Sequence, residues 1–501
     1  MGLIQPPVRR ISVRKLIAAA AVVLLAAGAV LYAVPHLRCG NIWADIRVLG
    51  DDGECVGTTD GSHVFDPDFT DIQARIAAEN ERVAGEVEGG ADAVRVALLT
   101  QLTPTQESAM SPDQVLSSLE GAYVAQWRAN HSRAIGDRTP LVQLVLANEG
   151  SRQEHWEPVV DRLVEMASEE PVPLLAVVGL GVSVQSTSDA AGRLSDNGIP
   201  MVSAVASADG LNDSARRGLV RVSPSNTDFV TALRGYTEAH DELETGILVY
   251  DQNAPDLFVS TLTDAFEAQM ADFTQGIPPQ PFSGTALDES PTPTLFASAA
   301  QNICQTEADM VFYAGRGVDL AGLVEALHTR SCVREPLTVF FAETGLSLRE
   351  DEQMRGQLAE GNLTIVHAAA SDPDWGAGGA RGEPDGLAGF TEAYTENVGD
   401  TTGRLTNGYA MAHHDAVMTA VQAIRLYSRE GGEGGDDPLR AEGARGALFR
   451  LNAGNVVRGA TGDLSFSATR DGDPGGKPVP VFEIPGPGEA PAHDLYITPA
   501  E

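Results

Sequence analysis

The sequence has few basic residues, and lysine is almost absent from it. Lysine and arginine together number 34, against 70 aspartates and glutamates, which gives a formal net charge of −36 at pH 7. Lys15 and Lys477 are the only lysines. Nucleic acids and anionic membrane surfaces bind proteins through basic patches. The composition therefore argues against both as partners.

Cysteine is also scarce, with four residues in the chain, Cys39, Cys55, Cys304 and Cys332. None lies in a C-x-x-C motif and no H-x-x-x-H motif occurs, so a zinc site is not expected. Disulfides are permitted if the protein is exported. The simplest pairing is local, 39 with 55 and 304 with 332, but the sequence leaves all three pairings open.

An uncharged apolar run occupies residues 16–34, and four basic residues between positions 9 and 15 precede it. Its 19 residues are just enough to span a bilayer as a helix. Because positive charges stay on the cytoplasmic side, residues 1–15 would form a cytoplasmic stub. A cleaved signal segment is the alternative. We therefore expect an extracytoplasmic, cell-surface protein that is anchored by this helix, or secreted if the helix is cleaved.

From residue 94 onward, short apolar runs alternate with amphipathic stretches. Buried runs separated by helices are typical of parallel sheets with helical crossovers. The strand candidates are 94–99, 139–148, 173–179, 200–205, 245–251, 309–315, 336–343 and 363–370, followed by two edge strands in “GATGDLSFSATRDGD” and “VPVFEI”. The helix candidates are 112–133, 154–168, 225–240, 256–273, 318–330, 385–397 and “TNGYAMAHHDAVMTAVQAIRLYSRE”. So many strands indicate an α/β fold with two lobes.

Hydroxyl side chains follow the third strand candidate in the loop “GLGVSVQST”, residues 179–187. A dinucleotide-binding loop would need a third glycine where Val184 stands, and a serine hydrolase would need the second glycine of a G-x-S-x-G turn. Both chemistries are therefore disfavoured. What remains is a helix start at which Ser183, Ser186 and Thr187 either add O–H donors to a cradle for a small anion or only cap their own helix.

The next strand unit repeats this arrangement. Its strand ends near residue 205, and Ala206 and Ser207 form the turn that follows. Ligands of open α/β sheets bind at the carboxyl ends of the strands. Two successive turns could therefore face one cleft, which favours the ligand cradle over simple capping.

Several segments, in a fixed order, resemble the type I periplasmic-binding-protein fold, and within it the branched-chain amino-acid (Leu/Ile/Val) binding proteins of ABC importers. The segments are “VVGLGVSVQSTSDAAGRLSDNGIPMVSAVASADGLN”, “VRVSPSNTDFVTALRGY”, “GILVYD”, “EADMVFYAGRGVDLAGLVEAL”, “PLTVFFAETGL”, “FTEAYTENVGDTTGRLTNGYAMAHHDAV” and “GATGDLSFSATRDGD”. The resemblance covers roughly residues 93–485. It implies two Rossmann-like lobes that close on a ligand like a Venus flytrap.

The resemblance also implies how the chain divides. Residues 35–92, with the first cysteine pair, would be an N-terminal extension outside the family core. The remaining parts would be 93–223 as the first part of lobe 1, 224–371 as lobe 2, 372–455 as the second part of lobe 1, and 456–501 as C-terminal strands and tail.

The resemblance assigns ligand-binding roles to particular residues. Ser183 matches the serine whose hydroxyl and neighbouring amides hold the ligand carboxylate. Ala206 and Ser207 match the turn whose backbone and hydroxyl grip the ligand. Glu343 matches the acid of the second lobe that meets the ligand ammonium. A carboxylate in a closing cleft suits this role because charge-assisted hydrogen bonds are strong.

Three positions depart from the family pattern. The candidate ligand-binding residue Asn226 stands where the family commonly has Asp, Pro255 where it has an aromatic residue that closes over the ligand, and His414 where it has Tyr. His413 and His414 are neighbours on a predicted helix and point about 100° apart. We therefore expect them to pack within the fold rather than to hold a metal. An amino-acid-like ligand remains the expectation, without branched-chain specificity.

The function implied is capture of a small amino-acid-like solute between the lobes and its delivery to an ABC permease. Such a protein makes and breaks no bond, so neither enzyme activity nor a cofactor is expected. The alternative is a membrane-tethered ligand sensor or regulator with the same fold and no transport role.

Overall fold

A computed structural model of the chain describes residues 45–500 with internal gaps, together with residues 17, 20–25, 28 and 39. The gaps are 51, 213–215, 253–255, 288–295, 346–350, 376–380, 400–404, 432–438 and 486–492. Most of the predicted membrane segment 16–34 lies outside the described residues, as does Pro255. Within the described part of the chain, no helix combines the length and the hydropathy needed to cross a membrane.

The first sheet consists of mostly parallel strands. Its strands are β1 (Ile46–Leu49), β2 (Glu54–Thr59), β3 (Ala93–Thr100), β4 (Leu141–Asn148), β5 (Leu174–Gly179), β6 (Met201–Ser203) and β7 (Leu219–Arg221). Their order across the sheet is β1-β2-β4-β3-β5-β6-β7, and the pairs from β4 to β7 are all parallel. β2 pairs antiparallel with β4 and with β1. β1 and β2, which belong to the segment assigned above to an N-terminal extension, therefore form the edge of this sheet.

The second sheet repeats the pattern. Its strands are β8 (Gly246–Asp251), β9 (Gln280–Phe282), β10 (Met310–Ala314), β11 (Leu337–Ala342), β12 (Leu363–Ala368), β15 (Pro478–Ile484) and β16 (His493–Ile497). Their order is β16-β15-β12-β11-β10-β8-β9, with antiparallel pairs only among β12, β15 and β16. Two short strands, β13 (Val457–Arg458) and β14 (Asp463–Leu464), pair separately.

Helices cover both faces of each sheet, because both faces of strands such as β5 are apolar and buried. The helices are α1 (Thr70–Glu88), α2 (Pro112–His131), α3 (Trp156–Met166), α4 (Gln185–Asp196), α5 (Asn226–Glu238), α6 (Leu257–Gln269), α7 (Ala297–Gln305), α8 (Gly317–His328), α9 (Glu352–Gly361), α10 (Leu387–Asn397), α11 (Tyr409–Gly431) and α12 (Ala441–Leu448). α2 and α11 share the core on one face of the first sheet, and α3 and α4 cover the other. α7, α8 and α9 cover one face of the second sheet, and α5 and α6 cover the other.

The chain returns to the first sheet after completing most of the second. α11 is buried along most of its length and packs against α2. Gly121 on α2 permits the approach, because a Cβ there would lie 2.0 Å from the carbonyl oxygen of Ala410. A Cβ at Gly345, after β11, would likewise lie 2.0 Å from the carbonyl oxygen of Asn407, so the start of α11 also lies close to the second sheet.

Each disulfide joins two cysteines that have no other cysteine between them in the sequence. Cys39 pairs with Cys55 on β2, and Cys304 on α7 pairs with Cys332. The local pairing is therefore the one that the structure contains. The first disulfide fixes residue 39 to the edge of the first sheet, and the second ties α7 to the segment after α8.

The prediction of an α/β fold with two parallel-rich sheets is confirmed, and all eight strand candidates between 94 and 370 form strands. The prediction of an edge strand in “VPVFEI” was wrong, because β15 lies between β12 and β16. In “GATGDLSFSATRDGD” only the short β14 forms. The unexpected edge strand, β16, is half exposed and has no long apolar run, so its sequence carries little strand signal.

Candidate functional site

The first half of the candidate site lies at the carboxyl ends of β5 and β6. Ser183 follows β5 and is 2% exposed, and its hydroxyl oxygen accepts a hydrogen bond from the backbone N–H of Ala208 at 3.0 Å. Ala206 and Ser207, in the turn after β6, are also buried. Asn226 donates its backbone N–H to the carbonyl oxygen of Ser207 at 2.8 Å. The two turns are therefore in direct contact.

Glycines determine the path of the loop that carries Ser183. Gly179 and Gly181 both have positive φ angles, 86° and 54°. A Cβ at Gly181 would lie 2.1 Å from Nε2 of Gln153. Glycine therefore lets the loop lie directly on Gln153, whose side-chain oxygen accepts the N–H of Val182 at 3.0 Å.

The hydroxyls of Ser186 and Thr187 are placed differently from that of Ser183. Thr187 donates to the carbonyl oxygen of Val182 at 2.6 Å and accepts from Nε2 of Gln153 at 2.9 Å. Its hydroxyl therefore bonds within the loop and does not cap α4, whose N-terminus has no side-chain cap. Ser186 directly precedes Thr187 in the first turn of α4, and it is half-buried.

A buried carboxyl group holds the side chain of Gln153, on which this loop lies. Glu149 is 1% exposed, and its Oε1 accepts from Nε2 of Gln153 at 2.9 Å. Burial raises the pKa of Glu149 to about 8, although the bond from Gln153 opposes the shift. Ionisation therefore costs more in the folded state, and the stability falls as the pH rises from the ordinary pKa of 4.5 to the folded pKa of about 8.

We expect Glu149→Gln to raise the melting temperature by several degrees at pH 9 and to change it little at pH 5, because the amide resembles the protonated acid. Melting curves from pH 5 to 9 test this. Glu165→Gln, at an exposed position on α3, is the control and should show no pH-dependent difference. A constant difference for Glu149→Gln across this range would contradict the assignment.

The second half of the site comes from three neighbouring strands of the second sheet. Asp256, Arg316 and Glu343 follow β8, β10 and β11, whose order in the sheet is β11-β10-β8. Nε of Arg316 lies 2.6 Å from Oδ2 of Asp256, and Nη2 lies 2.9 Å from Oδ1. Both side chains are at least 96% buried, at 4% and 1% exposure. Asp256 also caps α6 by accepting the N–H of Phe258 at 3.1 Å.

Glu343 is a buried acid with an unused oxygen. It is 8% exposed, and its Oε2 has no hydrogen-bond partner among the described residues. Burial raises the pKa of Glu343 to about 7; the positive charge of Arg316 opposes the shift and the negative charge of Asp256 adds to it. The group can thus exchange its proton near neutral pH when a ligand changes its surroundings.

Tyr409 completes this polar cluster from the start of α11. It is 2% exposed. Burial, with the charge of Glu343 nearby, raises its pKa above the ordinary value of a tyrosine. The phenol is therefore a neutral hydrogen-bond donor at every physiological pH.

The two halves of the site touch through direct hydrogen bonds. The backbone N–H of Phe258, at the start of α6, donates to the carbonyl oxygen of Ser183 at 3.0 Å. Nη2 of Arg316 lies 3.5 Å from the same oxygen. Thr344 donates its hydroxyl to the carbonyl oxygen of Val205 at 3.3 Å. These bonds join strand ends of the first sheet to strand ends of the second, so the two halves of the site are in contact in this structure.

The side chain of Asn226 bonds between α5 and α6, two helices that cover the same face of the second sheet. Its side-chain N–H groups donate to the carbonyl oxygen of Phe258 at 2.9 Å and to Oγ1 of Thr261 at 2.8 Å. It therefore holds the start of α6 against the start of α5. Its Oδ1 is buried and has no partner among the described residues.

The histidines of α11 are part of the packing, as expected. Nδ1 of His413 contacts the carbonyl oxygen of Tyr409 at 2.9 Å. His414 lies between Arg128, 2.8 Å from its Nε2, and Asp415, 2.8 Å from its Nδ1. The two rings thus have separate partners.

Sequence reasoning missed the ion pair of Asp256 and Arg316 and the phenol of Tyr409. The signal for Arg316 was present, because it follows a fully buried strand at the sheet edge that carries the site. Asp256 had a weaker signal as a helix-capping residue. Nothing in the spacing of the three residues shows that they meet.

No protein-family model matches the sequence, and no curated protein sequence matches it significantly. Solved structures do match the fold. An ABC transporter substrate-binding protein from Desulfitobacterium hafniense, in complex with Leu, is 15% identical, with 81% of this chain and 100% of that chain covered and a TM-score of 0.57. The branched-chain amino acid transporter substrate-binding protein LivJ from Streptococcus pneumoniae, in complex with isoleucine, is also 15% identical, with the same coverage and a TM-score of 0.58.

A third match widens the range of ligands among the similar structures. It is a solute-binding protein of an ABC transporter from Rhodopseudomonas palustris, in complex with 3,4-dihydroxybenzoic acid. It is 13% identical, with 78% of this chain and 92% of that chain covered and a TM-score of 0.53. Together these matches show that the chain has the two-lobed fold of ABC transporter substrate-binding proteins.

Proposed function

We propose that the protein is an extracytoplasmic solute-binding protein that captures an amino-acid-like ligand between its lobes. The observation that carries this proposal is the pairing of two unlike half-sites at the carboxyl ends of the two sheets. One offers the hydroxyls of Ser183 and Ser207 with nearby backbone N–H groups, and the other offers the unpaired carboxyl oxygen of Glu343. A small zwitterion complements both halves.

The ligand carboxylate would bind to the first lobe. The hydroxyl oxygen of Ser183 already accepts the N–H of Ala208, so its O–H can donate to a ligand oxygen. The ligand ammonium would bind to Oε2 of Glu343, where a charge-assisted hydrogen bond would replace an unmade one. In this proposal the ligand is bound without a chemical step, and neither enzyme activity nor a cofactor is part of it.

Capture would proceed by hinge closure. The bonds from Phe258 and Arg316 to Ser183 exist only when the lobes meet. A ligand that touches Ser183 and Glu343 together adds contacts that the open form lacks, and it therefore shifts the equilibrium towards closure. Delivery to an ABC permease would follow as the next step.

The segment 16–34 would hold the protein at the outer face of the plasma membrane. In its described part, the side chains of Val22, Val23, Leu24 and Leu25 are 65–75% exposed, so the rest of the protein does not cover them. The alternative function, a membrane-tethered sensor, uses the same lobes. Neighbouring genes for a permease and an ATPase would favour transport.

A thermal-shift screen of amino acids and small amides tests the ligand class. A ligand at 100 times its Kd stabilises the folded form by about 2.7 kcal/mol, which is a measurable shift. We expect Ser183→Ala to remove most of that shift, because the ligand carboxylate loses a donor. Ser195→Ala is the matched control, since its hydroxyl binds the carbonyl oxygen of Arg217 at the far end of α4. An equal shift in Ser183→Ala and wild type would refute the site.

A further inference from the structure

A second polar cavity lies in the first lobe, away from the cleft. Its volume is about 430 Å³, and it opens between the end of α2, the start of α10 and the outer half of α11. Three arginines line it, Arg128, Arg429 and Arg458. In a chain with twice as many acids as bases, this concentration of positive charge needs an explanation.

These arginines have few partners. Arg429 makes neither a hydrogen bond nor an ion pair within the described structure. Within the described part of the chain, Arg458 pairs only with Asp385, at 3.8 Å, and both of these side chains are largely exposed. Arg128 donates from Nη1 to the neutral ring of His414 at 2.8 Å. Among the described residues, Asp385 is the one acid that pairs directly with these three guanidinium groups, and it also lines the cavity.

The electrostatics agree with this count of partners. Burial lowers the pKa of Arg128, although Asp415 and Glu392 act in the opposite direction. Burial also lowers the pKa of Arg425, on the same helix as Arg429, to about 10; Asp137 opposes the shift and the charge of Arg429 adds to it. A nearby anion would raise the pKa of both groups, because an opposite charge favours the protonated guanidinium.

The backbone at the cavity wall also favours an anion. α10 begins at Leu387, and Gly386, its N-cap residue, gives no side-chain cap. Helix N-termini carry partial positive charge, which here adds to that of the guanidinium groups. A Cβ at Gly389 would lie 2.9 Å from Nη2 of Arg128. Glycine at this position therefore leaves room for the guanidinium group at the wall.

We propose that this cavity binds a small, multiply charged oxyanion, such as a phosphate ester or a polycarboxylate. Guanidinium groups bind both through paired N–H donors. A nucleic acid is a poor candidate, since the chain's net charge of −36 repels a long polyanion. The arginine-lined cavity is separate from the cleft. This proposal therefore does not depend on the function proposed for the cleft.

Isothermal titration of the full chain with pyrophosphate and with citrate, each at fixed ionic strength, tests this proposal. We expect saturable binding of one or both probes, weakened as NaCl is raised because salt screens the charges. Arg429→Gln with Arg458→Gln should weaken the Kd at least tenfold. Both side chains are exposed, so the variant should fold. Arg355→Gln, on α9 in the second lobe, is the control and should bind like wild type.

A cleft variant separates this site from the proposed ligand site. Ser183→Ala should leave the pyrophosphate and citrate affinities unchanged. Absence of saturable binding for both probes would overturn the proposal. So would an equal affinity in wild type and in the Arg429→Gln, Arg458→Gln variant, or a loss of affinity in Ser183→Ala.

Discussion

Replacing Arg316 with methionine is expected to destabilise the protein by roughly 3–5 kcal/mol, the usual cost of removing one partner of a buried ion pair. Asp256 is 1% exposed and would lose the guanidinium group that pairs with it. Glu343 would lose the positive charge that lowers its pKa. The penalty should therefore be larger at pH 8 than at pH 5.5, where Glu343 is mostly protonated. Urea unfolding at both pH values measures it.

Two further variants make this result interpretable. Arg316→Met combined with Asp256→Asn should recover part of the loss, because the buried charge is gone and asparagine still caps α6. Arg450→Met breaks an ion pair with Glu430 in which both partners are about half exposed, and should cost roughly 0–1 kcal/mol. A cost for Arg316→Met no larger than that for Arg450→Met would show that the pair adds nothing to stability.

The fold could be predicted from sequence because its strands are apolar on both faces. Runs such as “PLLAVVG” and “DMVFYAG” stand out from the helices around them, and β5 and β10 are buried throughout. Strands at the sheet edges, such as β1, β9 and β16, are short or half exposed and gave no such signal. Local periodicity therefore finds the centre of each sheet and misses its margins.

The candidate site was predictable where it follows a strand in a recognisable loop. Ser183, Ser207 and Glu343 all follow strands, and all are buried at the junction of the two sheets. The ion pair whose charges act on Glu343 could not be predicted. Asp256 and Arg316 are 60 residues apart, and they meet only because β8 and β10 are adjacent in the sheet. Sequence spacing carries no information on strand order.

The affinity for an amino-acid ligand is expected to depend strongly on pH. With the lobes in contact and no ligand bound, burial raises the pKa of Glu343 to about 7, so the carboxyl group is mostly protonated below neutral pH. A bound ammonium group favours the carboxylate and lowers this pKa, and binding therefore releases a proton. The apparent affinity should rise with pH and level off above pH 8. Between pH 8 and pH 5 it should fall by about 100-fold, which is tenfold per pH unit below 7.

Titration calorimetry in buffers of different ionisation enthalpy measures both the affinity and the proton release. Glu343→Gln should bind about 30-fold or more weakly at pH 8, the effect of losing a buried charge partner worth over 2 kcal/mol. Its affinity should also be flat from pH 5 to 8, because the titrating group is gone. Glu149→Gln removes the buried acid next to the loop that carries Ser183. Its ligand affinity should depend on pH in the same way as that of the wild type. A flat wild-type profile, or a slope that survives in Glu343→Gln, would mean that Glu343 does not meet the ligand ammonium.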